Sequence, residues 1–194
     1  MGHKLSARGL QLILGALVVA GAWAQRSLVA PVDVGELYVP SGFMGDGEAG
    51  GKVQVRRVAG EKPRAGSADG LCVKVSYLPG SKGWAGVYWQ HPADNWGDAP
   101  GLTIVGATRI TFWAAGAKGG EIVEFKAGGI NGKRYQDSFE VSSGSLALSS
   151  DWKQYRIDLR RAKLSNVVGG FAWDATAADN PNGLTFYLDR IRYE

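Results

Sequence analysis

No stretch after residue 24 carries apolar residues at helical spacing over three or more turns. That spacing is what lets a helix bury one face, so a helical layer is not an option here. Period-two alternation takes its place. Leu71, Val73, Val75 and Tyr77 alternate with Lys74 and Ser76, and Tyr155, Ile157 and Leu159 with Gln154, Arg156 and Asp158. Strands are expected over 35–39, 52–58, 71–78, 83–90, 109–114, 121–126, 135–141, 152–159, 167–173 and 184–193. Each is rich in β-branched or aromatic residues, and turn residues bound most of them. The only helical turn expected lies within 159–165. Glycines cluster between these runs, in GDGEAGG, AGAKGG, KAGG and NPNG, as turn chemistry requires. Many short strands without a helical layer make an all-β, two-sheet β-sandwich, and about ten of them suit a jelly roll.

The first 24 residues read differently. Lys4 and Arg8 precede GLQLILGALVVAGAW, and Ala22-Trp23-Ala24 closes it with a small-x-small pattern. This is the layout of a secretory signal peptide. The apolar run is short for a bilayer, which needs roughly 20 apolar residues. The expected mature chain is one domain, 25–194, with 25–33 as an extended leader. It is expected to be secreted (periplasmic or extracellular) and to carry no membrane anchor after cleavage.

Lys4 and Arg8 take two of the 22 Lys and Arg, leaving 20 against 18 acids. So small a surplus gives no field suited to nucleic acid. Cys72 is the single cysteine, which excludes an intrachain disulfide. It sits in a strand-like run and reads as a structural thiol. His91 is the only histidine after the leader segment, so neither a zinc cluster nor a Cys–His pair is expected.

GWAGVYWQHPADNWG (83–97) concentrates aromatic surface. If Ala85, Val87 and Trp89 face the core, then Trp84, Tyr88 and Gln90 face out. Likewise Ile110 and Phe112 inward turn Trp113 outward, and Val123 and Phe125 inward turn Glu124 and Lys126 outward. A face of Tyr88, Gln90, Trp113, Glu124 and Lys126 is expected, rimmed by Trp84, Trp96, Trp173 and Asp174. Trp96 is either an outward platform or a plug closing the sandwich. Rings stack on the apolar faces of sugars while amides and charged groups bond their hydroxyls, so such a face suits a glycan.

The stretches YVPSGFMGDG (38–47), GWAGVYWQHPADNWG (83–97), ATRITFWAAGAKGGEIVEFKAGG (107–129), DWKQYRIDL (151–159), LSNVVGGFAW (164–173) and LTFYLDRIRYE (184–194) resemble carbohydrate-binding modules of the galactose-binding-domain-like jelly-roll type. The resemblance implies non-catalytic polysaccharide binding. It also implies a possible structural calcium, with Asp189 matching the final strand's acid and Asp46 and Glu36 as candidate partners. Calcium needs several oxygen ligands. Arg190 departs from the pattern, standing where relatives carry a second acid.

An enzyme would need two carboxyl groups across one cleft. Glu121 and Glu124, three apart in a strand, point to opposite faces. Glu124 could meet Asp174 or Asp137 in space, so a small jelly-roll hydrolase or lyase is an alternative. Another is a structural or assembly subunit that self-associates, with its leader pairing to a neighbour's sheet edge.

Overall fold

The computed structural model describes residues 25–67 and 69–194. The signal-peptide expectation therefore lies outside the described residues. The strands are β1 (Ser27–Val29), β2 (Val32–Asp33), β3 (Val39–Gly45), β4 (Val53–Ala59), β5 (Leu71–Tyr77), β6 (Trp84–Gln90) and β7 (Thr103–Val105). They continue as β8 (Arg109–Gly116), β9 (Ile122–Gly128), β10 (Glu140–Ala147), β11 (Lys153–Asp158), β12 (Gly169–Thr176) and β13 (Leu184–Tyr193). One helical turn, α1 (Val34–Leu37), and one 3-10 turn, Asp46–Ala49, interrupt them. Among the described residues no helix is long and apolar enough to cross a membrane.

Two antiparallel sheets form the expected β-sandwich. The five-stranded sheet runs β10-β9-β12-β6-β3. The six-stranded sheet runs β11-β8-β13-β5-β4, with β2 beside the end of β13. The alternating residues fill the space between. Val75, Val87, Ile110, Phe112, Val123, Phe125 and Phe186 are fully buried. Phe112 meets Phe125 at 4.7 Å and Phe171 at 5.2 Å, so the sheets interlock through offset rings rather than a flat stack.

Three local expectations are corrected. Residues 35–39 were expected to be extended, but Asp33 accepts from the Gly35 N–H at 2.9 Å and caps α1, delaying the strand to Val39. The strand expected at 135–141 starts only at Glu140, because Asp137 gathers the preceding loop onto its carboxylate. Residues 159–165 form no helix; Ala162 N–H closes a turn on Leu159 O.

The 25–33 leader is paired within this chain. β1 runs parallel to β7, and β2 runs antiparallel to β13. Two irregularities shape the sheets. β10 bulges between Ser142 and Ser145, and β13 shifts register between Asp189 and Arg192.

Candidate functional site

The outer face of the five-stranded sheet is built from in-register rows. Ser142, Lys126, Ala172, Tyr88 and Gly42 form one row from β10 to β3. Ser145, Glu124, Asp174, Gly86 and Met44 form the next. Strands lie about 4.8 Å apart, so the rows cross roughly 19 Å of sheet. Small residues leave the middle low. A Cβ added to Gly86 would come within 2.8 Å of both Met44 Cε and Trp173 O, so no larger residue fits without a shift.

Rings stand at both ends of this floor. Trp84, at the start of β6, is 40% exposed. Four residues along, about 13 Å at strand rise, Tyr88 meets Trp96 edge to face at 6.0 Å. Tyr88 itself is only 9% exposed, and its hydroxyl donates to Gly128 O at 3.0 Å. Burial pushes its phenol well above the ordinary range, and the carboxylates of Asp137, Glu140 and Asp174 add to this. Tyr88 therefore works as a prop beneath Trp96 more than as a platform.

The polar groups gather beside the floor. Lys126 Nζ lies 2.7 Å from Asp174 and 3.5 Å from Glu124. Partial burial pulls Lys126 down, but the two carboxylates outweigh it and hold its proton above the usual lysine range. Burial raises Asp174, hydrogen bonding and charge from Lys126 draw it back, and Glu124 adds to the rise, which prevails. Ser142 Oγ donates to Glu124. The cluster presents two acceptors and one donor to any hydroxyl-rich ligand, with a net negative charge.

Of the residues expected from sequence, Trp84, Tyr88, Trp96, Glu124, Lys126 and Asp174 come together on this face. Three do not. Trp113 lies on β8 of the opposite sheet, beside Asp189 and Gln154. It does point outward, but alternation says which way a side chain faces, not which sheet carries it. Trp173 is fully buried, because its register partners Phe125 and Val87 both face the core. Gln90 is fully buried too. Its amide donates to Asn95 O at 2.9 Å and accepts from Ser41 Oγ at 2.8 Å, pinning the 91–99 loop.

Asn95 completes that loop. Its side-chain oxygen accepts from the N–H groups of Gly97, Asp98 and Ala99, and its amide donates to His91 O and Ala99 O. Sequence reading missed this role, though an Asn beside an aromatic and a glycine is a local turn signal. It also missed Met44, because the reach of β3 beyond Val39 was not read.

Of the calcium ligands suggested by the resemblance, Asp189 and Glu36 line one cavity and Asp46 is not part of it. Asp189 accepts from Arg64 Nε at 2.6 Å, and Glu36 is exposed on α1. Asp46 is buried, and accepts from Tyr77 Oη, Gly80 N–H and Lys82 N–H, each at 2.8 Å. These donors occupy both of its oxygens. Among the described residues no group of three or more His, Cys, Asp or Glu could hold a metal. Asp46 and Asp189 are thus each held by protein donors, and the three acids do not share one site.

The Asp46 arrangement has a pH consequence. Burial works against its charge, but the donors from Lys82, Gly80 and Tyr77 prevail and hold its carboxyl below the usual range. A depressed folded-state pKa stabilises above the unfolded value, near 4, and that contribution fades as pH falls through the folded value. Melting temperatures of Asp46→Asn should fall less steeply on acidification below about pH 4 than those of the native protein. Parallel acid limbs would refute this.

No family model and no curated protein matches the sequence. Solved structures do. A family 30 carbohydrate-binding module superposes with a TM-score of 0.53 and 16% identity, covering 84% of this chain and 98% of that one. The sandwich has the fold of a carbohydrate-binding module. The family 30 module of the cellulosomal cellulase Cel9D-Cel44B of Clostridium thermocellum superposes similarly, with a TM-score of 0.51, 16% identity, and coverage of 81% and 92%.

Proposed function

We propose that this protein binds a neutral polysaccharide, without catalysis, on the outer face of the five-stranded sheet. The observation that carries this reading is the placement of exposed Trp84 and half-buried Trp96 at opposite ends of a small-residue floor, with Lys126, Glu124 and Asp174 beside it. Indole faces stack on sugar C–H faces, and the charged cluster takes hydroxyls. The cluster's net negative charge disfavours acidic chains on this face. The solved modules of the same fold support the reading as examples of what such a sandwich can carry, though fold alone does not fix function.

Catalysis is not part of it. Glu124 and Asp174 are direct register neighbours on β9 and β12, bridged by Lys126, so they sit side by side rather than across a bond to be cleaved. The 1–24 segment routes the chain out of the cytoplasm in this reading, where such polymers are met.

The test is affinity electrophoresis and pull-down on cellulose, mixed-linkage glucan, xylan and mannan. Trp84→Ala should weaken binding at least tenfold, about 1.4 kcal/mol, with an unchanged melting temperature. Native-like binding by a folded Trp84→Ala protein, or no binding by the native protein to any neutral glycan, would sink the reading.

A further inference from the structure

The outer face of the other sheet carries a different chemistry. Thr111 on β8 pairs with Arg156 of β11 on one side and Arg192 of β13 on the other. In-register residues share a face, so a short side chain lies between two arginines. A cavity of about 250 Å³ opens here, with Thr111, Trp113, Gln154 and Arg192 among its lining residues.

The register shift in β13 makes this arrangement. Unbroken alternation from Asp189 would send Ile191 and Tyr193 outward with it. Instead Ile191 and Tyr193 are buried, while Arg192 pairs with outward Thr111. Arg190 is the extra residue. It sits at φ 53°, a left-handed conformation unusual for arginine, and lines the same cavity. Bulges that re-aim a side chain recur at functional sites.

The charges are unevenly matched. Arg64 is neutralised by Asp189 at 2.6 Å and lies 4.8 Å over the Trp113 ring. Glu194, also at the cavity, pairs with Arg109 at 3.2 Å. No salt bridge among the described residues involves Arg156, Arg190 or Arg192. Arg192 Nε is buried with no hydrogen-bond partner. A buried guanidinium N–H without an acceptor is costly, and a ligand oxyanion would satisfy it.

The geometry points to a second ligand site here, separate from the neutral-glycan face, that takes an oxyanion carried by a glycan: the carboxylate of a uronic acid or a sulfate ester. Arg192 and Arg190 bind the anion, and Thr111 and Gln154 bond the hydroxyls beside it. The cavity is smaller than the roughly 300–1,000 Å³ of whole-ligand pockets, so it receives one charged group of a longer chain.

The experiment titrates the purified protein with polygalacturonate, with dextran sulfate and with neutral dextran, at low and at physiological salt. Binding to one or both acidic polymers, beyond whatever dextran shows on the neutral-glycan face, is expected, and which one binds names the anion. Arg192→Gln and the exposed Arg190→Gln should each weaken it at least fivefold while leaving neutral-glycan binding unchanged. Trp84→Ala should leave acidic binding unchanged, which separates this site from the first. Absence of acidic binding, or acidic binding untouched in a folded Arg190→Gln protein, would overturn the proposal. So would acidic binding lost in Trp84→Ala.

Discussion

Trp173→Ala is expected to cost the fold about 3–5 kcal/mol, the range for emptying a buried aromatic site. The indole is fully buried in the middle of β12, with Phe186 edge-on at 5.4 Å and Phe125 in register beside it. β12 is the central strand of the five-stranded sheet, so the cavity would open under the candidate binding face. Urea unfolding measures the loss. Trp173→Phe should cost much less, because Trp173 Nε1 is buried without a partner and phenylalanine removes that orphaned donor. A stable Trp173→Ala protein that had lost only glycan binding would instead return Trp173 to the rim.

Asp137→Ala should be nearly as damaging. Its buried carboxylate accepts from Ile130 N–H at 2.9 Å, Val168 N–H at 2.6 Å and Gly169 N–H at 3.2 Å. Each orphaned buried donor costs roughly 1–3 kcal/mol, so a total of about 3 kcal/mol or more is expected. The change also reaches the site. Asp137 holds the β9–β10 loop against β12 under Tyr88, whose hydroxyl is anchored at Gly128. Glycan affinity should therefore fall together with stability, whereas Trp84→Ala separates them. Urea unfolding and affinity electrophoresis on the same variant provide the check; a stability within 1 kcal/mol of native would contradict this account.

The two tryptophans 113 and 173 show where sequence reasoning reaches its limit. Alternation read the inward residues of β5, β6, β8 and β9 as the structure has them, because burial on one face imposes period two. It could not assign β8 to one sheet and β9 to the other, since that depends on long-range pairing. Trp113 and Tyr88 thus face out on opposite sides of the molecule. Trp173 failed for another reason. GGFAWDAT alternates Phe171, Trp173 and Ala175 against Ala172, Asp174 and Thr176, but the expected strand ends at 173, which sets Trp173 at a loop edge; β12 runs on to Thr176 and keeps it inside. Gln90, placed outward by alternation, and Asp46, suggested by the resemblance, are polar residues satisfied inside the fold. The bulge around Arg190 left no local signal except the basic residue itself.

The bulge in β10 has a further consequence, for what the molecule does in company. An open sheet ends in unpaired backbone groups that invite another strand, which is how sandwiches aggregate. At Ser142–Ser145 the β10 edge breaks step, Gly144 turns through φ 65°, and Ser143 Oγ takes up the Phe125 N–H. The opposite edge strand, β3, contains Pro40, which has no N–H to offer. On the second sheet, β4 exposes Gln54, Arg56 and Arg57, and β11 exposes Lys153, Arg156 and Asp158. Each border of the two main sheets therefore resists a foreign strand, which disfavours growth of either sheet by strand addition.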